Sequence, residues 1–191
     1  MSVREILQLG DPFLRQPAEA VADHEFGTPE LESLVADLID TMRAANGAGI
    51  AAPQIGVGKK VCVIEVGDNP RYPYKPNIPL TVLFNPEIEL LTDERFDNYE
   101  GCLSVPNIRG VVPRATRIRL KARDRSGAGY ERVIEGLTAG TFQHECDHLE
   151  GKLFVDHVSD SSTFCTWENF ARYEQAAFTK RVEALVEKYK S

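Results

Sequence analysis

Residues 143–151, QHECDHLEG, place two histidines four positions apart around Glu145 and Asp147. The segments on either side, IEGLTAGTF and LFV, are largely apolar. A polar helix set between apolar segments is costly to bury unless each polar group finds a partner. Any architecture this chain adopts must supply those partners, and no other stretch restricts the fold as strongly. On a helix, positions i and i+4 stand one above the other, so His144 and His148 share a face and can reach one cation. Glu145, beside the first histidine, is placed to meet a water on that cation rather than the cation itself. This is the His-Glu-x-x-His logic of metal hydrolases, with the glutamate as general base. Asp147 or Glu150 is expected to fix the tautomer of an imidazole.

Around this helix the pattern is mixed. In TPELESLVADLIDTMRAANG, Leu31, Leu34, Val35, Leu38, Ile39 and Met42 recur at helical spacing, with Thr28 as N-cap, Pro29 in the first turn and Asn46-Gly47 as the end. KKVCVIEVG is a β-branched run and predicts a strand. Prolines at 70, 73, 76 and 79 exclude a helix or interior strand and predict an extended surface loop over 67–79 that does not touch the motifs. LTVLFNP and EIELL predict two strands separated at Asn85-Pro86, and EGCLSVPNIRGVVPR a turn-rich segment. ATRIRLKARD alternates, with Ile118, Leu120 and Ala122 on one face, and RSGAG turns it into YERVIEG as a hairpin. The histidine helix is expected from about Leu137 to Glu150, stopped by Gly151. A last helix is expected over about 166–189, with Phe178, Val182, Leu185, Val186 and Tyr189 on one face. No repeat or linker divides the chain. The expectation is an α+β fold: one domain over 1–191, its core at about 4–158, with antiparallel sheets around a central metal-binding helix, an N-terminal helix and a C-terminal helix.

Two histidines leave a ligand set incomplete. Downstream candidates are His157, Glu168 and Glu174. Upstream, Cys102 in YEGCLSVP is the sharper one, because a thiolate at the mouth of a turn suits a borderline-soft divalent cation. Cys62, Cys146 and Cys165 read as small buried side chains. The four cysteines form no C-x-x-C pair, and the N-terminus lacks the apolar core of a signal peptide, so reduced thiols in the cytoplasm are expected. A net charge of -7 argues against broad nucleic-acid affinity, and no apolar run approaches the ~20 residues that span a bilayer.

Three segments in order, GAGIAAPQ (47–54), EGCLS (100–104) and QHECDH (143–148), resemble the peptide deformylase family. The resemblance extends to LGDPFLRQPAEAV, VPR and DRSG, and spans roughly residues 4–158. It implies one divalent ion held by Cys102, His144 and His148, with iron(II) in the cell and zinc, nickel or cobalt as substitutes. It implies removal of the formyl group from the N-terminal formyl-methionine of nascent polypeptides, with release of formate. Water activated by the metal would attack the formyl carbon, Glu145 would act as general base and then acid, and the Gln54 side chain with the Leu103 N–H would stabilise the oxyanion.

By the same resemblance Gly47, Ala48 and Gly49 would meet the substrate chain, and Arg109 and Thr141 would contact it. Glu100 is expected as a structural partner of Arg114. Ala48 is small for its position and Gly140 and Thr141 are expected on pocket-facing turns, which predicts relaxed selectivity for the first side chain. FTKRVEALVEKYKS carries a local net charge of +2; the resemblance allows ribosome docking there, but packing on the chain's own domain is the favoured expectation.

Overall fold

A computed structural model describes residues 2–67 and 74–190. Helix α1 (Pro29–Ala44) begins as its sequence predicts: the Thr28 hydroxyl accepts from the Leu31 N–H at 3.3 Å, and Pro29 occupies the first turn. Its end comes at Asn46, which adopts φ 51°. The buried stripe Leu31, Val35, Leu38, Ile39 and Met42 packs with Ile50, Val61, Val63 and Phe84. Those partners lie on β1 (Gly49–Ala51), β2 (Val61–Val66) and β3 (Ile78–Leu90).

Five antiparallel strands form the larger sheet, in the order β1-β2-β3-β6-β7, with β6 at Arg117–Arg123 and β7 at Gly129–Glu135. The predicted β6–β7 hairpin is present, and Ile118, Leu120 and Ala122 are its buried face. Two strands expected to part at Asn85-Pro86 are instead one. Asn85 takes φ 50° inside a bulge, and its side-chain amide closes on both backbone groups of Val21 at 2.7 and 2.9 Å. The bulge accommodates Pro86 without ending the strand. Of the expected proline loop, residues 68–73 lie outside the described residues, and Ile78-Pro79 already belong to β3.

EGCLSVPNIRGVVPR is not turn-rich. It supplies the end of β4 (Arg95–Cys102), a tight turn at Leu103-Ser104, and β5 (Val105–Ala115). These strands and β8 (Cys165–Thr166) make a second sheet, ordered β4-β5-β8. Because β8 pairs only with Ile108 and Arg109, β5 is an edge strand at Pro113, where a missing N–H is tolerated.

Helix α2 (Gly136–Leu149) lies against strands of both sheets and ends at Gly151, φ 71°. Gln143 docks it: Oε1 accepts from the Ala115 N–H at 3.1 Å and Nε2 donates to the Ala115 carbonyl at 2.9 Å. The C-terminal segment is not one regular helix. A turn, α3 (Trp167–Asn169), widens into a π-helical stretch, Phe170–Glu174, before α4 (Gln175–Tyr189). Phe178 and Val182 are buried, with Leu185 and Val186 packed on the same core cluster, so the apolar face of α4 is covered by the protein itself.

Candidate metal centre

The three motifs converge on one point. Cys102 ends β4, and His144 and His148 project from one face of α2. Their donor atoms all lie within 4.8 Å of one another, with Cys102 Sγ 3.3 Å from His148 Nε2. Ligands on a tetrahedral ion at about 2.0–2.3 Å stand roughly 3.5 Å apart, so the three donors need little movement to share one. Burial pushes the Cys102 thiol up, but the two imidazoles outweigh it and bring it down to about 5. A thiolate with two imidazoles is a donor set that fits a divalent cation. The other candidates for the third ligand fall away among the described residues. His157 lies 3.1 Å from Asp147, and neither it nor Glu168 or Glu174 joins the group of donor atoms that meet there.

Behind the histidines stands a buried charge network. Glu100 Oε2 sits 2.8 Å from His144 Nδ1, which leaves Nε2 for the metal side. The expected Glu100–Arg114 pair is present and bidentate, at 2.7 and 2.9 Å, and Arg114 continues to Asp147 at 2.7 Å. Burial opposes ionisation of Glu100, yet Arg114 holds its carboxyl far below the usual range. The residue that orients an imidazole is therefore Glu100, not Asp147 or Glu150. Asp147 is engaged by Arg114 and His157, and Glu150 pairs with Lys60 at 2.6 Å near the surface. Helical spacing suggested the nearer carboxylates; β4 delivers the working one from another element.

Glu145 is 5% exposed, and its Oε2 has no hydrogen-bond partner. Burial raises its carboxyl above the ordinary range, although His144 and His148 act against that. Gly49 makes room for it, since a methyl group there would overlap the Glu145 carboxylate. Gln54 is buried and oriented: the Ala51 N–H donates to Oε1 at 2.8 Å, which leaves Nε2 to donate to Ser104 Oγ at 3.1 Å and Cys102 Sγ at 3.4 Å.

A cavity opens beside this centre, and Gly47, Ala48, Gly49, Leu103, Arg109 and Thr141 all line it. Gly140 does not; a side chain there would meet Phe96 and Asn98, because the helix turns that position toward β4. Arg109 is no surface residue. It is 1% exposed, with Nη2 donating to the Tyr74 hydroxyl at 3.1 Å and to the Tyr99 carbonyl. Sequence reasoning missed Lys75, which was assigned to a stretch remote from the motifs. Its Nζ donates to Thr141 Oγ1 at 3.0 Å on the cavity wall, and burial lowers it to about 8. Only its place within a proline-rich stretch was visible, and that argues for a loop rather than for a site.

The family model for polypeptide deformylase matches residues 3–164. Peptide deformylase 1 of Nitrosomonas europaea is 48% identical over 162 residues, covering 85% of this chain and 91% of the relative. Peptide deformylase 2 of Ralstonia nicotianae is 50% identical over the same length, covering 85% and 90%. Among solved structures, the class I type b peptide deformylase of Acinetobacter baumannii with Met-Ala-Ser bound superposes with a TM-score of 0.80 at 38% identity, over 82% of this chain and 99% of that one. The enzyme of Synechococcus elongatus in complex with actinonin gives 0.73 at 31%, over 98% and 86%.

Proposed function

The chain belongs to the polypeptide deformylase family, a family of enzymes, and from that premise we propose that it removes the formyl group from N-formyl-methionyl nascent peptides, releasing formate. The observation that carries this reading is the Cys102 thiolate closing a ligand set with two imidazoles, next to a buried glutamate and an oriented amide. A protease built on the same helix would take a histidine or glutamate as its third ligand and leave Cys102 without a task.

Cys102, His144 and His148 would hold the ion, iron(II) in the cell with zinc, nickel or cobalt as substitutes. When bound, it would supply the Lewis acidity that makes water nucleophilic near neutral pH. Glu145 takes the proton of the attacking water and returns it to the leaving amine. Its burial favours the protonated form that this second transfer requires. The Gln54 Nε2 and the Leu103 N–H donate to the oxyanion; losing one such donor costs about 10²–10³ in rate. Gln54 suits that role because its orientation is fixed through Oε1 before substrate arrives.

The peptide lies along β1. This is the edge strand of the five-stranded sheet, and the backbone from Gly47 into β1 can extend the ladder by one more chain. The Met-Ala-Ser bound to the Acinetobacter relative supports a cleft of this kind. Arg109 and Thr141 then face the substrate. Small Ala48 widens the first-residue pocket, and the ratio of kcat/KM for formyl-Met and formyl-Phe peptides measures how far. A strict methionine preference would refute that widening.

No helix among the described residues is long and apolar enough to cross a membrane. Action in the cytoplasm, on chains emerging from ribosomes, is part of this proposal. The covered face of α4 supports packing on the chain's own domain rather than ribosome docking. Ribosome co-sedimentation lost on deleting residues 178–191 would reverse that assignment. The decisive experiment compares anaerobically purified wild type with Cys102→Ser for metal content and for formate release from a formyl-Met peptide. Wild type is expected to carry one ion and release formate, and Cys102→Ser to lose both. Intact metal content in the variant would favour the protease reading.

A further inference from the structure

The residues after 164 lie outside the span matched by the family model, yet they reach the cavity wall. The Trp167 ring covers Gly101, the neighbour of the ligand Cys102; a Cβ on Gly101 would stand 3.0 Å from Trp167 Cζ2. The same ring lies 4.2 Å from the guanidinium carbon of Arg109, and the Phe170 ring lies 4.0 Å from it. Phe170 is in turn packed against Tyr99 and against Phe178 of α4, at centroid distances of 5.1 and 5.9 Å. A chain of aromatic contacts thus runs from the C-terminal helix to one side chain on the cavity wall.

That side chain is incompletely satisfied. Nη2 of Arg109 has two acceptors, Tyr74 and Tyr99, whereas Nε and Nη1 are buried with no partner. Two aromatic faces stabilise the positive charge but offer no acceptor in the guanidinium plane. Buried N–H groups left without acceptors are costly, and their persistence calls for an explanation. On the wall of a substrate cavity, the explanation at hand is an acceptor that arrives with the ligand.

We propose that Trp167 and Phe170 are positioning residues, which hold the Arg109 guanidinium so that its unpaired N–H groups donate to carbonyl oxygens of the bound peptide. The proposal rests on the deformylase reading, in which Arg109 meets substrate. It gives the C-terminal segment a part in substrate recognition: α4 anchors Phe178, Phe178 backs Phe170, and Phe170 with Trp167 orients the donor.

The test uses the full-length, nickel-loaded protein and formate release from formyl-Met-Ala-Ser. Trp167→Ala and Phe170→Ala are each expected to raise KM about tenfold, the size of one modest interaction lost from binding. The kcat should stay within about twofold of wild type and nickel content at one ion per chain, with Trp167→Phe restoring most of the loss. A KM unchanged in both alanine variants would overturn the proposal. So would a fall in nickel content alongside kcat, because that would mean the rings merely support the Gly101–Cys102 corner. The Arg109 Nε–H resonance in NMR spectra supplies a readout independent of turnover: a single protected signal in wild type should broaden or exchange rapidly in the alanine variants, and an unaltered signal would also overturn the proposal. Nickel-loaded wild type that released no formate would instead sink the deformylase reading, and the resonance would still decide whether the rings order Arg109.

Discussion

Helices α1 and α2 both lie against the five-stranded sheet on apolar side chains, and among the described residues α2 adds a buried charge network that α1 lacks. Under α1 the contacts are aliphatic and aromatic: Val35, Leu38 and Met42 against Ile50, Val61, Val63 and Phe84. Around α2 the buried surface includes Gln143, Glu145 and His148, and Glu100 and Arg114 are buried beside it. Apolar burial is non-directional and places a helix approximately. Hydrogen-bonded charges act over short distances and fixed angles, so they set where the histidines stand. Both helices rest on apolar contacts, α2 through Leu137, Ala139, Phe142 and Leu149, and only around α2 does a charge network add positional accuracy.

Substitutions on the two sides should therefore fail differently. The largest effect is expected for Glu145→Gln, with formate release falling by about 10²–10⁴. Metal content should be retained and thermal stability should not drop, because the substitution removes a buried carboxyl whose Oε2 has no partner; a variant within tenfold of wild-type kcat would remove Glu145 from the proton transfer. Glu100→Gln comes next. It leaves the Arg114 charge without its bidentate partner, a loss of about 3–5 kcal/mol in urea unfolding. It also frees the His144 ring, and a 10–100-fold weaker metal affinity should accompany it. Leu38→Ala should cost about 2–5 kcal/mol through the cavity it leaves, with metal stoichiometry and KM unchanged below the unfolding transition. A shift in KM there would show that the two sides are less separate than their contacts imply.

The smallest effect tests the α1 side with a charge. Asp37 is held below the usual carboxylate range by the Ser2 N–H and, secondarily, by Arg4, with burial acting against them. A carboxyl with a depressed folded pKa adds stability above its ordinary value and loses it as pH falls through the folded one. Melting temperature should decline as pH falls below about 4 in wild type, and the decline should be shallower in Asp37→Asn. Parallel profiles would mean that this pairing contributes nothing to acid stability.

The α1 side was almost wholly legible in the sequence, and the α2 side only in part. Periodicity and capping residues located α1, the β6–β7 hairpin and the helix stop at Gly151, because those signals are local. Cys102, His144, Glu145 and His148 were legible as a set through resemblance. What escaped was whatever depends on partners distant in the chain. Pro106 and Pro113 looked like turn residues until β5 proved to be an edge strand there. Glu100 in place of Asp147 as the histidine's partner, Lys75 on the cavity wall and the burial of Arg109 follow from contacts spanning tens of residues. No spacing rule encodes such contacts.

Gln143 carries a further consequence. Its amide meets the N–H and C=O of Ala115 as a neighbouring peptide unit would, so α2 is fastened to the end of β5 by a one-residue imitation of strand pairing. Strand register is discrete, and a slip of one residue turns every side chain to the other face. The helix therefore has no continuum of nearby resting places: it engages at Ala115 or loses both bonds together. The distance between two imidazoles and a thiolate is in this way ruled off in units of pleated sheet, although the imidazoles ride on a helix.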